Sequence, residues 1–152
     1  MTTEQNKAEH NKDVLRRFLA AMAAGDPEAL GALLSEDAAW WVPLSASRDG
    51  FGRPLIGRQA IAQFAGGKVT KAFIPGSTRW EFEYEIAEGD LAAAKVRRIA
   101  VGSNGASYEN EYIWLFRFNE DASVAEVWET MDTALAFRLL AIDSALPRKE
   151  NA

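Results

Sequence analysis

The chain of 152 residues contains no cysteine, which excludes disulfides, thiolate nucleophiles and cysteine-ligated metal sites. Histidine is nearly absent. The one copy, His10, lies in a polar N-terminal lead, which argues against a histidine base, a serine triad or a zinc site. Basic residues never run longer than two, and 17 of them against 22 acidic residues leave a net charge of −5. Nucleic-acid binders usually carry a basic patch, so that class of partner is set aside. No apolar stretch approaches the roughly 20 residues that span a bilayer, so no membrane partner is expected. Met1 to Lys12 lacks the apolar core of a signal peptide, and the expected location is the cytoplasm. An enzyme made from this alphabet works with carboxylates, phenols and guanidinium groups, and neither a metal nor a cofactor is expected.

What remains is ordinary for one globular domain, with 48% hydrophobic and 26% charged residues. The expected organisation is a flexible tail over residues 1–12, a single domain over 13–143 and a second tail over 144–152. Val14, Leu15, Phe18, Leu19 and Met22 recur at helical spacing. Gly25 is a stop, and Asp26-Pro27 reads as the cap and first residue of a second helix that ends near Glu36-Asp37. A short strand, Ala38 to Pro43, precedes a loop from Leu44 to Pro54. A third helix runs from Gly57 to Phe64 and stops at Gly66-Gly67.

From Thr78 onward the period changes to two. Trp80, Phe82, Tyr84 and Ile86 alternate with Arg79, Glu81, Glu83 and Glu85, the glutamates reading as a solvated face. Strands follow over Leu91–Val101, Tyr108–Phe118 and Val124–Met131, with Gly102-Ser103-Asn104-Gly105 as a hairpin turn. Asp132-Thr133 caps a closing helix. Helices segregated from an antiparallel meander make an α+β architecture. In the Tyr108 strand, Tyr108, Asn110, Tyr112, Trp114, Phe116 and Phe118 share one face. Aromatic rings with an amide and two phenols suit either a ligand pocket or a hydrogen-bonded sheet core.

The order of elements, with Ala24-Gly25-Asp26, Leu33 to Ala38, Gly57 to Phe64, Phe116-Arg117-Phe118 and Trp128 to Thr133, resembles the nuclear transport factor 2-like superfamily. Within it the chain looks most like the SnoaL-like and ketosteroid isomerase-related group. The resemblance implies a cone-shaped barrel, in which a curved antiparallel sheet and three N-terminal helices enclose a pocket. It also implies a homodimer through the sheet. The isomerase's catalytic set does not carry over. Its oxyanion-hole tyrosine falls at Phe18, its catalytic aspartate at Val42 and its protonated aspartic acid at Trp114. These three positions are left to line a pocket. In the related limonene epoxide hydrolase, the second aspartate of the water-holding set falls at Glu129. The arginine and first aspartate of that set fall near Lys95 and Arg97.

Glu129 is the leading catalytic candidate, because it shares a strand face with Val127 and Met131, where burial raises a carboxyl pKa toward the range of a general base. The alternative is a solvated edge acid or a structural ion pair. Arg97 and Arg98 are adjacent in a strand, so one points inward to stabilise negative charge, and the sequence does not say which. Tyr108, Asn110, Tyr112 and Trp40 complete the expected binding set. The expected ligand is a small apolar or polyketide-like molecule. Acid/base catalysis (isomerase, cyclase or epoxide-hydrolase type) and non-catalytic binding or assembly both remain open.

Overall fold

In a computed structural model, residues 1–46 and 52–140 are described. Helix α1 (Thr3–Ala24) begins at a capping box: the Thr2 hydroxyl accepts from the Gln5 amide N–H at 3.2 Å, and the Gln5 side chain accepts from the Thr2 N–H at 2.7 Å. The helix therefore takes in the lead that was expected to be a tail, and His10 is exposed on it. Its buried stripe is Asn11, Val14, Leu15, Phe18, Leu19, Ala21 and Met22. Gly25 ends it at φ 63°, and the Asp26 carboxylate caps α2 (Pro27–Leu33) by accepting from the Ala29 N–H at 3.0 Å.

Helix α3 (Arg58–Gln63) does not stop at Gly66-Gly67. It widens into a π-helical turn over Phe64–Lys68 and then a short 3₁₀ turn, Thr70–Ala72. Gly66 serves a different purpose: a Cβ there would lie 2.8 Å from the Pro27 nitrogen, so this turn can approach α2 only through a glycine.

The strands are β1 (Leu34–Trp41), β2 (Leu55–Ile56), β3 (Arg79–Glu88), β4 (Leu91–Val101), β5 (Ser107–Phe118) and β6 (Val124–Met131), followed by helix α4 (Thr133–Leu140). Strand β1 starts where α2 was expected to continue, and β2 falls inside the expected loop. The sheet order is β2-β1-β6-β5-β4-β3. The antiparallel meander β3 to β6 is as expected, but β1 joins β6 in parallel, so the sheet is mixed. It is curved and open, not a closed barrel, with β2 and β3 at its edges. The expected inward face of β5 is buried at all six positions. Trp114 is the hub of the core, with the rings of Phe18, Trp40, Trp80, Tyr112 and Phe116 between 6.0 and 6.4 Å away.

Strand β3 departs from the clean alternation. Phe82 pairs with Val96 and Tyr84 with Lys95, so Glu83 is an extra residue, a bulge that exchanges the faces of everything after it. Tyr84 and Ile86 become 70% and 69% exposed, while Glu85 turns inward to take a bidentate contact from Arg16 of α1 at 2.6 and 2.8 Å. Glu81 and Glu83 keep to the outer face, paired with Arg97 and Lys95. The same register strings Ile86, Ala93, Leu115, Trp128 and Trp41 into one apolar row across five strands of that outer face. No helix among the described residues is long and apolar enough to cross a membrane. Arg48 and Asp49 of the expected loop, and the expected tail over 144–152, lie outside the described residues.

Candidate active site

The concave face of the sheet, α4 and the turns over residues 64–73 enclose a cavity of about 320 Å³. Pairing of β4 with β5 sets Arg98 opposite Asn110 and Arg97 opposite Glu111. That register settles which arginine faces inward. Arg98 is 2% exposed and lines the cavity. Arg97 lies on the outer face, donating to Glu109 at 2.8 Å and to Glu81 at 3.2 Å, and so leaves the candidate set.

The Arg98 guanidinium lies 3.8 Å from the centre of the Phe73 ring and 5.0 Å from that of Trp80, and one of its nitrogens donates to the Thr78 hydroxyl at 3.1 Å. Its Nε–H has no hydrogen-bond partner among the described residues. Burial lowers the Arg98 pKa, and the nearby Tyr112 and Tyr108 hydroxyls oppose that shift. Glu129, opposite Trp114 in the β5–β6 pair, is 8% exposed and lines the same cavity. Burial pushes its pKa up to about 7, against the pull of the Arg98 charge. The Trp40 indole N–H also favours the Glu129 anion, without closing a hydrogen bond of good geometry. No ion pair joins Arg98 to Glu129, although both are buried beside one cavity.

Two phenols complete the polar lining. The Tyr108 and Tyr112 oxygens are 2.6 Å apart, and the Asn110 amide donates both to the Tyr108 oxygen and to the Asp132 carbonyl, each at 3.0 Å. Burial raises both tyrosine pKa values, that of Tyr112 well above an ordinary phenol, so both hydroxyls keep their protons. Two hydroxyls carry two protons, and only one is spent between them. Asn110 occupies an acceptor position on Tyr108, so none of the described hydrogen bonds uses the remaining O–H.

The other expected residues distribute unevenly. Val42 lines this cavity and a neighbouring one, and Trp40 lines only the neighbour. Phe18, Trp114 and Asn110 line neither, because they form the layer behind the wall. Sequence reasoning missed Phe73, Met131, Thr133 and Phe137, which supply much of the apolar lining. Met131 was legible as the inward neighbour of Glu129, whereas Phe73 sits in an irregular segment with no period to read. Asp132 caps α4, accepting from the Leu135 N–H at 2.9 Å. No group of three or more metal-binding side chains occurs among the described residues.

The family model for the SnoaL-like domain matches residues 15–127. The chain belongs to the SnoaL-like family. Its fold is that of the nuclear transport factor 2-like superfamily, shared with several solved structures. A Burkholderia pseudomallei NTF2-like protein of unknown function is 22% identical, with a TM-score of 0.70 covering 86% of this chain and 97% of that one. TerC, co-crystallised with polyporic acid, is 17% identical at a TM-score of 0.72, covering 87% and 98%. IdmH from Streptomyces antibioticus, a proposed polyketide cyclase, is 21% identical at 0.69, covering 86% and 98%. No curated protein matches the sequence. At these identities the likeness of this SnoaL-like chain to each structure is one of fold.

Proposed function

We propose that this SnoaL-like protein binds a small, largely apolar carbonyl compound in the inner cavity and moves a proton on it. Glu129 is the base, taking a proton from the carbon beside the carbonyl. The electron pair passes to the carbonyl oxygen, which accepts the unspent phenolic O–H of the Tyr108–Tyr112 pair beside the Arg98 charge. Returning the proton to a different carbon completes an isomerisation. Attack of the enolate carbon on a second carbonyl of the same molecule, whose oxygen takes the electron pair and then the proton held by Glu129, completes a cyclisation. The observation that carries this reading is the buried Arg98 and Glu129 facing one cavity without pairing, since buried opposite charges in reach of each other normally close on one another. A ligand that accepts at Arg98 and offers an acidic C–H to Glu129 fits between them.

The test needs no knowledge of the natural substrate. A panel of cyclic and linear diketones is incubated with the protein in deuterium oxide, and uptake of deuterium beside the carbonyl is followed by NMR. Catalysed exchange that falls about 10²–10⁴-fold in Glu129→Gln, with binding retained, supports the base. Exchange unaffected by that substitution removes it. The second reading, a non-catalytic binder, is favoured by the apolar side chains at Phe18, Val42 and Trp114, and corresponds to binding of the panel with no exchange.

We further propose a homodimer that buries the outer row of Ile86, Ala93, Leu115, Trp128 and Trp41. Contiguous exposed apolar surface flanked by charged residues suits a second protein surface. Sedimentation of the full chain tests it, and a monomer at micromolar concentration ends it.

A further inference from the structure

Asn110 is buried in the layer behind the cavity wall, yet β5 sets it between the two phenols that line that wall. Tyr108, Asn110 and Tyr112 lie two residues apart on the strand, so their side chains stand in one row. The Asp132 carbonyl can only accept, so the Asn110 atom 3.0 Å from it is the amide nitrogen and not the amide oxygen. That carbonyl also receives the Ala136 N–H at 3.1 Å, which ties the amide to α4, the helix that closes the cavity. The same nitrogen lies 3.0 Å from the Tyr108 oxygen, which therefore accepts from it.

The two tyrosine oxygens, 2.6 Å apart, share one proton, and either has one to give. If Tyr112 gives it, the Tyr108 oxygen accepts twice, although one of its lone pairs is delocalised into the ring. If Tyr108 gives it, each phenol accepts once. A bond already accepted from Asn110 also makes the Tyr108 hydroxyl the better donor. Burial raises the pKa of both phenols, that of Tyr112 well above its ordinary value, while the Tyr112 and Asn110 contacts restrain Tyr108. Tyr112 is the weaker acid of the two, and it accepts.

We infer that Asn110 is a positioning residue that points the pair from Tyr108 to Tyr112, so that the Tyr112 hydroxyl donates to the ligand and selects an acceptor oxygen bearing negative charge. This rests on the reading of the inner cavity as a ligand site. It adds which hydroxyl meets the ligand and what that hydroxyl takes, an enolate or phenolate oxygen. A hydroxyl that is itself accepting donates more strongly, and the Arg98 charge nearby favours the same atom.

The probe is 4-nitrophenol, whose oxygen mimics an enolate and whose absorbance distinguishes phenol from phenolate while bound. The full-length protein is titrated with it and with 4-nitroanisole, which cannot ionise. Tyr112→Phe is expected to weaken phenolate binding about tenfold or more, the worth of a hydrogen bond to a charged group. Tyr108→Phe, which leaves Tyr112 its proton, should cost only about two- to threefold. Asn110→Leu should raise the apparent pKa of the bound probe and leave 4-nitroanisole affinity unchanged, a split that lost packing does not produce. In that background the two phenylalanine substitutions should cost alike, since nothing then points the pair. Asn110→Thr, whose single hydroxyl proton cannot serve both partners, takes the place of a leucine variant that does not fold. The inference is overturned if Tyr108→Phe costs as much as Tyr112→Phe, if the asymmetry survives without Asn110, or if the probe does not bind. It is also overturned if the Asn110 variant loses both probes together. Deuterium exchange keeps the base apart. The asymmetry without exchange in wild type condemns only the proton transfer, and exchange that Glu129→Gln abolishes, without the asymmetry, condemns only the ordered donor.

Discussion

Glu129 on β6 and Arg98 on β4 line one cavity from the two strands that flank β5, both buried, and make no ion pair. Each is held by its own surroundings: Arg98 between the Phe73 and Trp80 rings, and Glu129 on β6 opposite Trp114. The separation leaves Glu129 to meet the cost of burial by keeping its proton, which is why its pKa sits near 7.

Stability should record that proton. The folded-state pKa of about 7 lies above the unfolded value of 4.5, so the folded protein holds a proton that the unfolded chain releases between those two values. The contribution is complete below about pH 4.5 and is lost as pH rises through 7, with a total of order 3 kcal/mol. Glu129→Gln carries no such proton, so its stability relative to wild type should climb between pH 5 and 8. Urea midpoints of the two proteins at several pH values read the difference directly, and parallel curves contradict a raised Glu129. Deuterium exchange, which needs the ionised base, should rise over the same interval.

Arg98→Met should move that limb. The arginine is the main group pulling the Glu129 pKa down, so without it the carboxyl titrates above 7 and the exchange profile shifts to more alkaline pH. The loss of stability should be larger at pH 8, where Glu129 is forced toward an uncompensated buried charge, than at pH 6, where it stays neutral. Arg97→Gln is the control one residue away. Its partners Glu81 and Glu109 are 39% and 58% exposed, and such pairs are worth at most about 1 kcal/mol, with no effect on the profile.

The contrast between these adjacent arginines marks the limit of what the sequence could say. Period-two alternation established that one of them faces inward, and it placed all six inward residues of β5 and the burial of Glu129. Choosing Arg98 required the pairing register with β5, which no local pattern encodes. The β3 bulge at Glu83 is a sharper case, because Tyr84 and Ile86 read as core and stand in solvent. One unpaired residue inverts a face without changing the hydrophobic pattern, and the pairing register with β4 reveals it, together with Glu85's contact to Arg16. The first turn of α1 was legible in Thr2-x-x-Gln5 and was missed because polar residues dominate there. Phe73 follows a short 3₁₀ turn, where neither helical nor strand periodicity marks which side chain faces inward.

Gly66→Ala should destabilise the protein although Gly66, in the π-helical turn, does not line the cavity. The added Cβ meets the Pro27 nitrogen at 2.8 Å and its Cα at 2.9 Å, which are backbone atoms that cannot rotate away. Forcing α2 from the π-turn costs about 1–3 kcal/mol, typical of overpacking. At roughly 2–4 °C per kcal/mol the thermal midpoint falls by several degrees. Gly67→Ala meets nothing within 4 Å and should leave the midpoint nearly unchanged, which separates the steric effect from the loss of glycine itself.

Trp128→Ser tests the outer face. Trp128 is 42% exposed, yet its ring stacks on Trp41 at 4.6 Å with planes 4° apart, in the middle of the apolar row. Within one subunit the stack is worth about 0.5–1.5 kcal/mol beyond the area it covers. If a second copy sits on the row, removing its largest ring deletes a central anchor of the kind that costs 2 kcal/mol or more of association, at least roughly thirtyfold in the dimer dissociation constant. Sedimentation velocity of wild type and variant should then show a dimer passing to monomer, while the circular dichroism spectrum stays the same. A dimer of unchanged affinity in Trp128→Ser places the subunit contact elsewhere and leaves the row without its proposed partner.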